Sequence, residues 1–334
     1  MALRDDNCLR AMDTNRPTGA VEVNNKLSLA ERIDKKSTLF DPCVLALVAL
    51  FLANICLAMG PWLVRVAGEA NGIGPLSAAF WRLTLAIPLL LVLSRTFGPS
   101  ETRPPIRRLI VIAAVGVIFA ADLASWHLGI VRTKLANASL FGNSTSLLFP
   151  IYGFIIARAA PSRLQVGALA LGLAGALIML GRSYELSPDN FIGDALCLLA
   201  GALYTIYLIA IDRARTQVGA WTILSYSTIG GVPALLLFAL IAGERIWPDN
   251  WTSLIALALV AQVIGQALMI YALGKFKPVV IGVALLVQPI VGSIIGLVGY
   301  GELLGVVDVV GALCIAGAMI LVLYGRTNKA DLLD

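Results

Sequence analysis

The sequence predicts an all-α integral membrane protein whose ten transmembrane helices form two inverted five-helix repeats. Three observations predict it. The 334-residue chain is 59% hydrophobic and only 13% charged, with mean hydropathy +0.87, and a water-soluble domain has no use for so much apolar surface. Ten apolar blocks fill the chain from Cys43 to Tyr324 with short polar breaks. Each is about long enough to cross a hydrocarbon core of ~30 Å, which takes about 20 helical residues. Finally, dissimilar anchor residues recur in the second half at a nearly constant offset.

Residues 1–42 carry seven basic and seven acidic side chains and no apolar run. A signal peptide needs an apolar core of about 7–15 residues, which this segment lacks. It reads as a disordered cytosolic tail, with one or two helical turns near Leu27–Ile33. The expected spans are 43–66, 74–94, 107–128, 134–157, 163–181, 191–211, 219–241, 252–273, 278–299 and 306–324. Turn residues separate them, as in Gly72-Ile73-Gly74-Pro75, Gly98-Pro99, Pro104-Pro105 and Ser187-Pro188-Asp189. The first repeat is expected over 43–181 and the second over 191–325, with 326–334 as a second cytosolic tail.

Basic residues in short loops set the orientation. With the N-terminus cytosolic, twelve arginines and lysines fall on the inner side, among them Arg95, Arg107, Arg108, Arg213, Lys275 and Arg326. Five fall outside: Arg65, Arg132, Lys134, Arg182 and Arg245. Both termini are therefore expected inside. Leu128-Gly129 recurs as Leu273-Gly274, Pro150 as Pro289 and Gly175-Ala176 as Gly317-Ala318, at offsets of 145, 139 and 142 residues. Five spans per repeat is an odd number, so the second repeat enters from the opposite side. Such inverted repeats typify secondary transporters, with the substrate site between the halves near midplane.

A pI near 9.0 suggests nucleic acid, but the charges are spread over loops rather than gathered with aromatics, so no nucleic-acid partner is expected. The five cysteines have no paired spacing and there is one histidine, so neither a disulfide framework nor a metal site is expected. A phosphate-binding glycine-rich loop with lysine is missing, and ATP is not expected to drive the protein. No cofactor is called for. The partners are the lipid bilayer and a small-molecule substrate; oligomeric state leaves no mark in the sequence.

Five short segments carry a resemblance. Ala79-Phe80-Trp81-Arg82-Leu83 lies in the second span and Gly193-Asp194-Ala195-Leu196 opens the sixth. Pro150 and Pro289 lie in the fourth and ninth, and Gly301-Glu302 closes the ninth. In this order the chain resembles the drug/metabolite transporter superfamily, EamA type, over about 41–325, and within it the amino-acid exporters of YddG type. The first half departs from that pattern, with Arg158-Ala159-Ala160-Pro161-Ser162-Arg163 where a Gly-Glu-Arg is usual. The resemblance implies ten helices in two five-helix halves and outward movement of small metabolites across the inner membrane.

Polar groups inside spans cost free energy in lipid unless they face a partner helix or a wet cavity. Asn54, Pro61 and Trp62 share a face of the first span; Asp122 and Trp126, with His127 beside them, mark the third. Ser139, Asn143, Ser146 and Pro150 fall at i, i+4, i+7 and i+11, one stripe of the fourth. Tyr204 and Tyr207 lie in the sixth span, Gln262 and Gln266 in the eighth, and Gln288 just before Pro289 in the ninth. Each has an ordinary reading as well. Small polar residues mediate helix packing, Trp62 and Trp126 suit an aromatic belt, and His127 suits packing. Pro61, Pro150 and Pro289 lack an N–H, loosen their helices and free a carbonyl upstream.

Arg82 and Asp122 lie at similar depth and stand either as a structural ion pair or as opposite poles of a binding cavity. The second reading suits a zwitterion, since planar arginine grips a carboxylate. Asp122 is also the one acid well inside a span and could carry a proton; uniport or exchange fits equally well. The expectation is a secondary transporter for amino acids, neutral or aromatic, with lipophilic cations and other metabolites as alternatives. A membrane enzyme or scaffold is disfavoured, because neither a histidine-rich cluster nor a large soluble module is present.

Overall fold

The computed structural model describes residues 42–97, 104–133, 138, 141–158, 160–181, 190–216, 218–300 and 305–324. The tails 1–41 and 325–334, Ser139 and Gly301-Glu302 lie outside them. Among the described residues every regular element is helical. The helices are α1 (Pro42–Ala58), α2 (Gly60–Asn71), α3 (Pro75–Phe97), α4 (Ile106–Ile130), α5 (Thr145–Ala157), α6 (Arg163–Gly181), α7 (Phe191–Ala214) and α8 (Ala220–Ile241). They continue as α9 (Thr252–Leu257), the π-helical α10 (Ala258–Gly265), α11 (Gln266–Leu273), α12 (Pro278–Leu285), α13 (Val287–Tyr300) and α14 (Val306–Tyr324).

Among the described residues, seven helical stretches are long and apolar enough to cross a membrane: Val44–Gly68, Pro75–Thr96, Ile106–Ile130, Phe191–Ala214, Ala220–Ile241, Thr252–Leu273 and Pro278–Ile295. Three further apolar helices, Thr145–Ala157, Arg163–Ile178 and Val309–Val322, are shorter. Of the ten expected spans, the described residues give seven of full length and three shorter. The fourth differs most, because a turn at Asn143-Ser144 separates the helical residues Phe141-Gly142 from α5, which begins at Thr145.

Several long stretches are interrupted, and proline explains two of the breaks. Pro61 and Pro289 have no N–H, and the helix breaks at Met59 and at Leu286, a few residues ahead of each. The Thr252–Leu273 stretch carries the π-helical turns of α10, a widening that recurs at functional sites.

The exposed faces are apolar: Val298, Val306 and Ile241 are each more than 75% exposed. In a membrane such faces meet lipid. Leu50, Leu83, Leu90, Leu208, Ile223, Leu224 and Ile281 fill the interior. Helices associate in lipid through close packing of small residues. A methyl on Gly175 of α6 would lie 2.6 Å from the Gly311 carbonyl oxygen of α14. Gly116 of α4 likewise has no room against the Ser227 carbonyl of α8.

The main contacts pair α6 with α14, α4 with α7 and α8, α3 with α8, α5 with α12, and α1 with α10 and α11. A tie between the halves sits at the start of α3. Glu244, in the loop after α8, accepts hydrogen bonds from the Leu76 and Ser77 amides at 3.2 and 2.8 Å, satisfying donors that a helix start leaves open. Trp81 Nε1 donates to the Ile246 carbonyl at 2.6 Å, and Trp81 packs edge-on against Trp251 with centroids 4.7 Å apart.

Candidate functional site

A cavity open to solvent lies among α1, α2, α3, α4, α5, α7 and α11 to α13. Leu57, Ala58, Pro61 and Trp62 come from the first broken span, and Leu285, Gln288, Gly292 and Ile295 from the other. The α4 face contributes Phe119, Asp122, Leu123 and Trp126. The remaining wall is Arg82, Ala138, Gly142, Asn143, Thr145, Ala200, Gly201, Tyr204 and Gln266. Most of these lie toward the helix ends nearest the loops at 72–74 and 242–251. Beyond them, Leu90, Ile211 and Ile223 are fully packed.

Its electrostatics rest on two charges. Arg82 is 2% exposed and its Nε donates to Gln262 Oε1 at 3.3 Å; Gln262 Nε2 in turn donates to Thr228 Oγ1 at 3.1 Å. The π-helical turns of α10 therefore present Gln262 to Arg82. Among the described residues, the terminal guanidinium nitrogens have no hydrogen-bond partner. Asp122, 6% exposed, makes neither a hydrogen bond nor an ion pair among those residues. The two charges feel one another electrostatically but do not close into a salt bridge. A cation donor and an anionic acceptor thus stand open in one water-accessible pocket.

Aromatic rings form one wall. Phe119 stacks on Tyr207 with centroids 4.4 Å apart, and Tyr204 lies 6.0 Å from Tyr207 in a stacked arrangement. Tyr204 reaches Gln266 Oε1 at 3.5 Å, a long contact. The Gly201 carbonyl accepts from both Thr145 Oγ1, at 2.7 Å, and Thr205 Oγ1, at 2.8 Å, which locks α5 to α7 beneath the cavity.

Pro61, Trp62, Arg82, Asp122, Trp126, Asn143, Tyr204, Gln266 and Gln288, all singled out from sequence, line this cavity. The two tryptophans, which also suited a membrane-interface belt, face it as well. Others stand behind the wall. Tyr207 is fully buried under Phe119 with its hydroxyl 3.4 Å from Ser227 Oγ, and Gln262 is fully buried against Arg82. Asn54 is fully buried too; its Oδ1 accepts from Gln288 Nε2 at 3.2 Å while its Nδ2 donates to the Leu50 carbonyl at 2.9 Å.

His127 is fully buried, its Nδ1 2.9 Å from the Pro75 carbonyl. A carbonyl only accepts, so Nδ1 carries the proton, and Nε2 has no partner among the described residues. Ser146 and Pro150 pack against Gly282, and Pro289 follows the break without lining the cavity.

The lining that sequence reasoning missed is apolar or small: Leu57, Phe119, Leu123, Gly142, Thr145, Gly201 and Gly292. A signal existed for Phe119, because 119, 122, 123 and 126 follow the i, i+3, i+4, i+7 spacing of one helix face. Gly201 stands three residues before Tyr204 in the same way.

A solved crystal structure superposes with TM-score 0.71 at 16% identity, covering 86% of this chain and 99% of the other, a likeness of fold alone. Two uncharacterized transporters of Archaeoglobus fulgidus are 24% and 26% identical over 69% and 73% of this chain, and over 81% and 86% of their own lengths. The threonine/homoserine exporter RhtA of Escherichia coli is 28% identical over 48% of this chain and 53% of its own. The EamA-like transporter family matches at residues 44–181 and again at 191–324, so this multi-pass membrane protein belongs to the EamA-like transporter family.

Proposed function

We propose that the protein is a secondary transporter exporting small zwitterionic metabolites, with amino acids as the favoured class, by alternating access around the cavity. The observation that carries this reading is the open charge pair. Among the described residues, Arg82 has guanidinium nitrogens and Asp122 a carboxylate without partners in one cavity, as a carboxylate and an ammonium on one substrate require. The name of the RhtA relative, a threonine/homoserine exporter, supports both the amino-acid class and the outward direction. The YddG-type likeness points to the same class.

The machinery is two inverted five-helix repeats, over 43–181 and 191–325. The contact pattern supports them. Matching spans in order, α4 packs on α7 as the α9–α11 span packs on α1, while α3 pairs with its counterpart α8, α5 with α12, and α6 with α14. With both termini cytosolic in a bacterial inner membrane, the cavity belongs to the outer half, and the structure corresponds to an outward-open state.

A second reading rests on a specific observation. Phe119, Tyr204, Trp62 and Trp126 line the same cavity as Asp122, and aromatic faces with one anion suit lipophilic cations. Counterflow in proteoliposomes discriminates. Labelled threonine, homoserine and phenylalanine should exchange, whereas a quaternary ammonium dye should not. Exchange of the dye alone would favour the cation reading, and exchange of nothing would return an enzyme or scaffold to consideration.

A further inference from the structure

We propose that the cavity contains a monovalent-cation centre built from two carbonyls that proline leaves without a helical donor, those of Leu57 and Leu285, together with the Asp122 carboxylate. Its occupant is the primary ammonium of the substrate, so the inference rests on the zwitterion reading above and places one pole of that substrate.

In a helix the carbonyl of residue i accepts from the N–H of residue i+4, and proline has no such N–H. Pro61 therefore deprives Leu57, and Pro289 deprives Leu285. The chain breaks at both places: α1 ends at Ala58 and α12 at Leu285. Backbone bonds at the breaks run from Met59 to Ile55, Leu63 to Met59 and Leu286 to Val283, so they end on neighbouring carbonyls and not on those of Leu57 or Leu285. A carbonyl so freed inside a membrane needs another partner.

Both freed carbonyls belong on the cavity side. Leu57 and Pro61 line the cavity one turn apart, so the carbonyl that Pro61 leaves open belongs to a turn in the cavity wall. Leu285 and Gln288 line it three residues apart, which sets the second carbonyl the same way. Pro150 is the internal comparison. It frees the Ser146 carbonyl, but that oxygen lies against Gly282, where an added methyl would come within 2.6 Å of it. The breaks ahead of Pro61 and Pro289 thus lie in the cavity wall, whereas the carbonyl that Pro150 frees meets packed protein.

The surroundings agree in sign. Gln288 spends its Nε2 on Asn54 Oδ1, and Asn54 is itself anchored to the Leu50 carbonyl, so the amide oxygen of Gln288 is the end left to accept. A primary ammonium carries three donors and no acceptor, which matches a carboxylate and two carbonyls. Broken helices coordinate cations in this manner in other secondary transporters.

The test restores the missing donor. Pro289→Ala and Pro61→Ala each supply an N–H able to re-bond Leu285 or Leu57. Counterflow is measured with L-threonine and with 3-hydroxybutyrate, which lacks the ammonium, in sodium and in N-methylglucamine buffer. Apparent affinity for threonine should fall at least tenfold in each variant while that for 3-hydroxybutyrate stays within twofold. Gln288→Leu, which leaves the backbone alone, should show the same selective loss and covers the case in which a proline variant fails to fold. If removing sodium weakens the wild type and leaves Pro289→Ala unaffected, the cation centre stands but sodium fills it. Equal losses for both compounds, as from a stiffened hinge, would overturn the inference while leaving the amino-acid reading intact. A wild type that moved neither compound would overturn both.

Discussion

Asp122→Asn separates the two roles open to the buried carboxylate, because they predict opposite effects on stability. The side chain is 6% exposed and has no hydrogen bond or ion pair among the described residues. Asparagine has the same shape, so the exchange removes a charge without opening a cavity or stranding a partner. Breaking a true buried ion pair costs about 3–5 kcal/mol. Here the protein has no such pair to lose, and the melting temperature in detergent should hold or rise. Binding should behave differently. A hydrogen bond to a charged group contributes about 1.5–3 kcal/mol. At about 1.4 kcal/mol per tenfold, apparent affinity for an ammonium-bearing substrate should fall roughly 10- to 150-fold. The assay is a thermal-shift measurement on purified protein beside proteoliposome counterflow of L-threonine and 3-hydroxybutyrate. A transition lowered by several degrees, with both compounds losing affinity equally, would refute the reasoning and make Asp122 a structural partner of Arg82.

Other outcomes follow from the same contacts. Arg82→Ala should weaken counterflow of threonine far more than that of its amino-alcohol analogue, since it removes the group that faces the carboxylate; equal loss would assign Arg82 to the fold. Gln262→Leu strips the hydrogen bonds to Arg82 Nε and Thr228, at about 0.6 kcal/mol apiece in a membrane, so a thermal-shift drop of a few degrees is expected together with weaker threonine binding. Gly282→Ala drives a methyl to 2.6 Å from the Ser146 carbonyl and should cost about 1–3 kcal/mol, whereas Gly292→Ala, which meets open space, should leave melting unchanged. Glu244→Gln keeps one acceptor oxygen for the two amides of Leu76 and Ser77, and should lower stability by about 1 kcal/mol or less in the same measurement.

The sequence by itself determined the membrane class, the placement of most helices and much of the cavity wall. Apolar length and proline or glycine breaks are local quantities, and a polar residue inside an apolar block has few places to go but a cavity or a neighbouring helix. Arg82, Asp122, Asn143, Gln266 and Gln288 stood out for that reason. Tertiary structure alone decided which polar residues face the cavity and which stand behind it. Gln262 and Gln266 lie one turn apart, yet the first is spent on Arg82 and Thr228 while the second lines the wall, a division made by α3 and α8 crossing the π-helical turns. Phe119 and Gly201 carry no polar signal, only a helical spacing from Asp122 and Tyr204, because an apolar residue in an apolar span gains its role from the void beside it. Whether Arg82 and Asp122 close upon each other was likewise beyond sequence. Their matched depth follows from spacing along two helices, but the gap between them is set by how far α3 and α4 are held apart, and only packing fixes that distance.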